Sequence, residues 1–203
     1  MNLNQITEYK FPFKHWEIKN CLDELTINEI VNTSIPGGQR AYDGTRAADH
    51  SGQGIDGKLR LFITNENIND FPNLTNLIKK LQKKIYFQKI SDYIKKDLSN
   101  SFVRLEIIGD RKGFWLKPHK DIKEKLMTMM IWANPYNESK NLGTDLYNDD
   151  FELVKTIEYI HNYGYFFSSG QDTWHGLEKK EIIQERKCIQ INYVTFKTDW
   201  PVE

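Results

Sequence analysis

From residue 101 onward the chain falls into short apolar and aromatic segments with no helical stretch between them. FVRLEII, GFWLKPH, KLMTMMIWAN, GTDLY, VKTIEYI, GYFFSS, TWHGL and KCIQINYVTF follow one another, separated by turn-rich sequence such as GDRKG, NPYNESKNLG, NDD and HNYG. Eight short strands at this spacing predict an antiparallel barrel or sandwich. The first hundred residues read differently. In CLDELTINEIVN, Leu22, Leu25, Ile27, Ile30 and Val31 follow helical spacing, and KLRLFIT (58–64) alternates as a strand. Residues 67–99 read as helix: Leu74, Leu77, Ile78, Leu81 and Ile85 share one face, and Ile90, Tyr93, Ile94 and Leu98 continue after a slip. Pro72 stands near the start, where proline is tolerated. The lysines of the outer face, among them Lys79, Lys83, Lys84 and Lys89, read as solvated surface, with an anionic partner as the alternative. The expected fold class is therefore mainly β with packed helices (α+β). One domain over 1–203 is expected, with 1–100 as helical support and 101–197 as the β core.

Composition narrows the function classes. Among 203 residues, Lys+Arg and Asp+Glu are both 28, which removes the electrostatic case for a nucleic-acid or membrane-surface protein. No apolar run approaches the ~18 residues of a membrane span, and MNLNQITEYKFPFKHW does not read as a secretory signal. Cys21 and Cys188 form no CxxC pattern, so neither a disulfide framework nor a cysteine zinc site is expected. The expectation is a soluble cytoplasmic domain. Residues 36–57 hold six glycines in 22 positions and read as a mobile loop, a candidate lid carrying Tyr42 and Arg46. Gly52, Gly54 and Gly57 match G-x-G-x-x-G there. The match reads as accidental, because a strand follows the glycines where the dinucleotide fingerprint requires a helix.

His15, His50 and His161 read as surface or hydrogen-bonded histidines. His119 and Asp121 stand two apart at a predicted strand end, so an imidazole and a carboxylate can leave on one side. His175 follows 54 residues later on the seventh of the eight segments. Two histidines and one carboxylate can occupy one face of an octahedral metal and leave three positions open, the arrangement of non-haem Fe(II) oxygenases. Arg186, eleven residues beyond His175 at the entry to KCIQINYVTF, can pair bidentately with a carboxylate.

HKD (119–121), His175 and Arg186 together resemble the iron(II)- and 2-oxoglutarate-dependent dioxygenases, in their prolyl 4-hydroxylase-like branch. KLMTMMIWANPYNESKNLGTDLY and NYGYFFSSGQDTWHGL resemble that branch before and up to the distal histidine, and the likeness covers about residues 101–197. It implies a double-stranded β-helix, or jelly roll. His119, Asp121 and His175 would hold Fe(II). Arg186 would hold the distal carboxylate of 2-oxoglutarate. O2 would be the oxidant, with ascorbate allowed, and 2-oxoglutarate would go to succinate. The sequence departs from the family where a tyrosine often holds the co-substrate: Glu106 reads as the matching position. Two residues after Arg186, an often-found serine is Cys188. The second arginine of the superfamily's nucleic-acid demethylases is Asn192, so no nucleic-acid partner and no membrane are expected. Asp121 disfavours the halogenase variant. A peptide side chain or small metabolite is the expected substrate, with Trp115, Trp132 and Trp174 as candidate pocket residues. The alternatives are a cupin-like metalloenzyme, or a metal-binding jelly-roll module, that does not use 2-oxoglutarate.

Overall fold

A computed structural model describes residues 1–36 and 58–203. The chain opens with two strands, β1 (Ile6–Tyr9) and β2 (His15–Lys19), then helix α1 (Glu24–Asn32). Asp23 caps α1 by accepting from the Thr26 backbone N–H at 2.9 Å. Next come β3 (Lys58–Phe62), a 3-10 turn at Ile68–Asp70, and helices α2 (Pro72–Gln82) and α3 (Lys84–Ile94). The back half supplies β4 (Phe102–Asp110), β5 (Leu116–His119), β6 (Lys125–Ala133), β7 (Asp145–Tyr147) and β8 (Leu153–Thr156). It continues with β9 (Tyr163–Phe167), β10 (His175–Leu177), β11 (Arg186–Val194) and β12 (Trp200–Pro201).

All eight segments expected after residue 101 form strands, β4 to β11. They divide between two antiparallel sheets. The larger runs β1-β2-β9-β6-β11-β4-β12, with β3 also paired to β4; the smaller runs β5-β10-β7-β8. The jelly-roll frame is thus the β9-β6-β11-β4 portion of one sheet facing the whole of the other. One face of the large sheet, with Leu105, Ile107, Met129, Ile131, Ile189 and Ile191, packs on the helices through Ile27, Ile30, Leu77 and Leu81. The opposite face turns Ile108, Trp132, Tyr165, Phe167 and Cys188 toward Leu146 and Leu177 of the small sheet. β11 is buried on both faces along all nine residues: Ile189, Ile191 and Tyr193 join the core under the helices, and the alternating Gln190 and Asn192 are buried polar residues.

The first hundred residues are not a purely helical support. β1, β2 and β3 extend the large sheet, and three α-helices cover it. β2 alternates polar and apolar residues as His15-Trp16-Glu17-Ile18-Lys19 over only five positions, and all but Lys19 are buried. Its polar residues face the space between the sheets, not water. The single helix expected over 67–99 is two helices: Lys83 takes an extended backbone (φ −73°, ψ 137°) and separates them. That break is the slip in the apolar pattern, and it leaves Ile85 exposed instead of buried. Lys95 ends α3 in the left-handed region (φ 57°). The glycine-rich segment with Tyr42, Arg46, His50 and the G-x-G-x-x-G spacing lies outside the described residues.

Candidate metal centre

β5 and β10 meet antiparallel with His119 directly opposite His175. This close approach depends on Gly176, where a Cβ would stand 2.5 Å from the Leu116 carbonyl oxygen. The two imidazoles consequently lie with centroids 4.4 Å apart, tilted by 50°. Asp121 leaves the end of β5 on the same side. One ligand atom from each of His119, Asp121 and His175 lies within 4.8 Å of the others, and among the described residues they form the one such group of three.

Both histidines offer the same nitrogen. Nδ1 of His119 lies 3.1 Å from the Lys117 carbonyl and Nδ1 of His175 lies 2.9 Å from the Thr173 carbonyl. A carbonyl can only accept, so Nδ1 carries the hydrogen in each ring and the Nε2 lone pair remains for a metal. Burial, reinforced by the neighbouring His175, holds His119 down to about 3. Burial also lowers His175. Both imidazoles are neutral in the physiological range, so metal binding displaces no proton from them.

Asp121 is fixed from two sides. Its Oδ1 accepts from the Lys125 ammonium at 2.6 Å and its Oδ2 from the Thr128 hydroxyl at 2.5 Å. Asn192 in turn donates to the Thr128 oxygen at 2.9 Å. Burial alone would raise the Asp121 carboxyl; Lys125 and these hydrogen bonds outweigh it and keep the group ionised. The donor set is therefore two neutral nitrogens and one carboxylate, all presented without rearranging the strands.

Arg186 begins β11 and is 3 % exposed, inside the space between the sheets. It does not approach the triad as a bare cation. Nη1 donates to Asp110, directly opposite on β4, and Nε to the Leu142 carbonyl. Nη2 reaches the Gly143 carbonyl at 3.2 Å, and the guanidinium lies 4.6 Å above the Trp132 ring. Gly143 is confined to glycine, since a Cβ would overlap the Ile157 carbonyl oxygen at 1.4 Å. Three of the five guanidinium N–H donors are thus engaged by the chain itself.

Asp110, and not Glu106, is the residue facing Arg186. Glu106 lies opposite Gln190 and is clamped by Arg60 at 3.1 Å and Arg104 at 2.5 Å. Burial would raise Glu106; Arg60, Arg104, Lys125 and Lys58 together bring it to about 2 instead. Burial pushes the Cys188 thiol up to about 12, so it is a neutral neighbour of Arg186. Trp132 is fully buried, whereas Trp115 and Trp174 are half-buried beside β5 and β10. The sequence reading missed Lys125, Thr128 and Asp110. The i, i+4 spacing of Asp121 and Lys125 was a visible signal; Asp110 emerges only from strand register.

No protein-family model and no curated protein sequence matches the chain. Solved structures do. A Pseudomonas putida prolyl-4-hydroxylase aligns at a TM-score of 0.61 with 10% identity, over 90% of this chain and 92% of that one. A prolyl hydroxylase from Trichoplax adhaerens, solved with a hypoxia inducible factor oxygen degradation domain peptide fragment, aligns at 0.59 with 17% identity, over 89% and 83%. The fold is that of the prolyl 4-hydroxylase-like oxygenases. A 2OG-Fe(II) oxygenase family oxidoreductase from Burkholderia pseudomallei extends the likeness, at 0.60 with 11% identity over 92% and 86%. The resemblance read from HKD, His175 and Arg186 thus has its counterpart in the prolyl 4-hydroxylase-like fold.

Proposed function

We propose that the chain is an Fe(II)- and 2-oxoglutarate-dependent dioxygenase that hydroxylates a peptide side chain or a small molecule. The observation that carries this reading is the triad of two bare Nε2 atoms and one ionised carboxylate within 4.8 Å. The set fits a divalent, nitrogen- and oxygen-seeking metal and leaves coordination positions free. His119, Asp121 and His175 would hold Fe(II), which supplies dioxygen activation at the expense of 2-oxoglutarate decarboxylation to succinate. The protein's own part is placement. The carbonyls of Lys117 and Thr173 orient the imidazoles, and Thr128 and Lys125 orient Asp121. Arg186 would bind the distal carboxylate of 2-oxoglutarate through the N–H donors its internal partners leave over. The fold's likeness to a prolyl hydroxylase solved with a peptide fragment supports a peptide substrate. The half-buried Trp115 and Trp174 stand beside the triad-bearing strands to receive it.

One observation favours a second reading. Arg186 already meets a carboxylate, Asp110. A cupin-like metalloenzyme with the same triad and no 2-oxoglutarate would leave that pair undisturbed. Anaerobic titration with Fe(II), then 2-oxoglutarate, separates the two. A visible charge-transfer band that is lost in Asp121→Ala, and that needs far more 2-oxoglutarate in Arg186→Ala, supports the dioxygenase. Iron binding with no band supports the cupin-like enzyme. Normal iron retention by Asp121→Ala overturns the triad.

A further inference from the structure

Lys58 is the first residue of β3 and is 8 % exposed, yet its ammonium makes no hydrogen bond among the described residues. Its neighbours are Asp110 Oδ1 at 3.7 Å and the Phe114 ring, 4.9 Å from Nζ. Phe114 belongs to the core between the two sheets, so the Lys58 side chain extends along the edge of that space. Strand register explains how it arrived. Lys58 pairs with Asp110, and Asp110 with Arg186, so three charges lie in one row across β3, β4 and β11 on one face.

The row is unbalanced. Among the described residues two cations share one carboxylate, an arrangement that is costly unless a further anion joins it. Pairing within the row is also incomplete: Asp110 Oδ1 is buried with no hydrogen-bond partner among the described residues. The indole Nε1 of Trp132 is likewise buried with no hydrogen-bond partner among the described residues, and it belongs to the ring that Arg186 covers. A buried indole N–H ordinarily finds an acceptor. Two cations on one carboxylate, an ammonium without a hydrogen bond among the described residues and an orphan indole N–H around one guanidinium together fit an anionic acceptor of one charge.

We propose that Lys58 and the Trp132 indole N–H join Arg186 in gripping the distal carboxylate of the co-substrate, and that Lys58 makes the site select a 2-oxo acid with a second carboxylate. This rests on the 2-oxoglutarate reading above. Asp110 then acts as a positioning residue: it holds both cations in the row without neutralising both. Lys58 comes from β3, outside the β4–β11 strands that carry the triad and Arg186, which is why the motif spacing does not contain it.

The test is calorimetric binding to Ni(II)-loaded protein, with 2-oxoglutarate and with 2-oxobutyrate, which keeps the 2-oxo acid end and lacks the distal carboxylate. Lys58→Met should weaken 2-oxoglutarate about 10- to 100-fold, the loss expected for a charge-assisted contact, and leave 2-oxobutyrate unchanged. Trp132→Phe keeps the ring and removes the N–H; it should weaken 2-oxoglutarate about tenfold. Lys58→Arg keeps the charge and should stay within about threefold of the wild type. Unchanged 2-oxoglutarate affinity in Lys58→Met overturns the proposal. So does equal weakening of both ligands, or a Lys58→Arg loss as large as that of Lys58→Met. Wild-type protein that binds neither 2-oxo acid overturns the dioxygenase reading itself, and this inference with it.

Discussion

Lys125 holds the same carboxylate that a metal would need, so removing it should have opposite consequences for the metal-free and metal-loaded protein. The Lys125–Asp121 pair is 2.6 Å long, with side chains 14% and 6% exposed. Lys125→Met keeps the stem and deletes the charge, leaving Asp121 ionised, buried and supported only by Thr128. Breaking a buried pair from one side costs about 3–5 kcal/mol, and the partial exposure of Lys125 sets the expectation at about 3. In a domain of this size each kcal/mol moves the melting temperature by about 2–4 °C, so the metal-free variant should melt roughly 6–12 °C lower. A divalent ion replaces the missing counter-charge. The metal-loaded variant should therefore lie much nearer the loaded wild type, and metal should stabilise the variant more than the wild type. Differential scanning fluorimetry of both proteins, with EDTA and with Ni(II), measures all four corners of the cycle. An equal loss with and without metal would refute the argument, because the ammonium and the ion would then not be serving one carboxylate.

Two further outcomes follow from the same site. Glu106 has a carboxyl held near 2 against an ordinary 4.5. The unfolded chain therefore binds a proton that the folded one refuses below about pH 4.5, and roughly 3 kcal/mol of stability, present above that pH, is lost as pH falls toward 2. In urea melts the gap between wild type and Glu106→Gln should be widest at pH 7 and narrow by pH 3; a constant gap would contradict the assignment. Gly176→Ala would drive a methyl group to 2.5 Å from the Leu116 carbonyl and force β5 away from β10. Ni(II) affinity should fall at least about tenfold as His119 loses its place opposite His175, while the far-UV spectrum stays that of the folded protein; unchanged affinity would show that the pairing does not set the site.

The β half was legible because its segments are short, apolar and punctuated by turns, and that pattern survives in one dimension. The front half was less so. β2 alternates over only five residues, too short a run to stand out, and Lys83 breaks a helix with a backbone angle rather than with a glycine or proline. Among site residues, His119 and Asp121 are visible as an i, i+2 pair, and His175 by its place on a later strand. What pairing adds is the register that sets His175 against His119, and Asp110, rather than Glu106, against Arg186. Such partners are 56 and 76 residues apart in the chain. No local pattern connects them.

The charge arrangement explains why so neutral a chain can enclose such a site. Over 203 residues the charges cancel, yet on the inward face of β3, β4, β6 and β11 and at the end of β5 they do not. Lys58, Arg60, Arg104, Lys125 and Arg186 face Asp110, Glu106 and Asp121 there. Each carboxylate is contacted by one cation or two, which orders the long side chains before any ligand arrives and lowers the entropy lost on binding. A divalent ion alone would add to the positive excess, whereas a doubly charged 2-oxo acid would offset it. The ion and the acid should therefore bind in mutual support, each raising the other's affinity by the same factor. A net charge of zero argued against a polyanionic partner at the surface; it carries no information about an interior in which strand register, not composition, decides which charges meet.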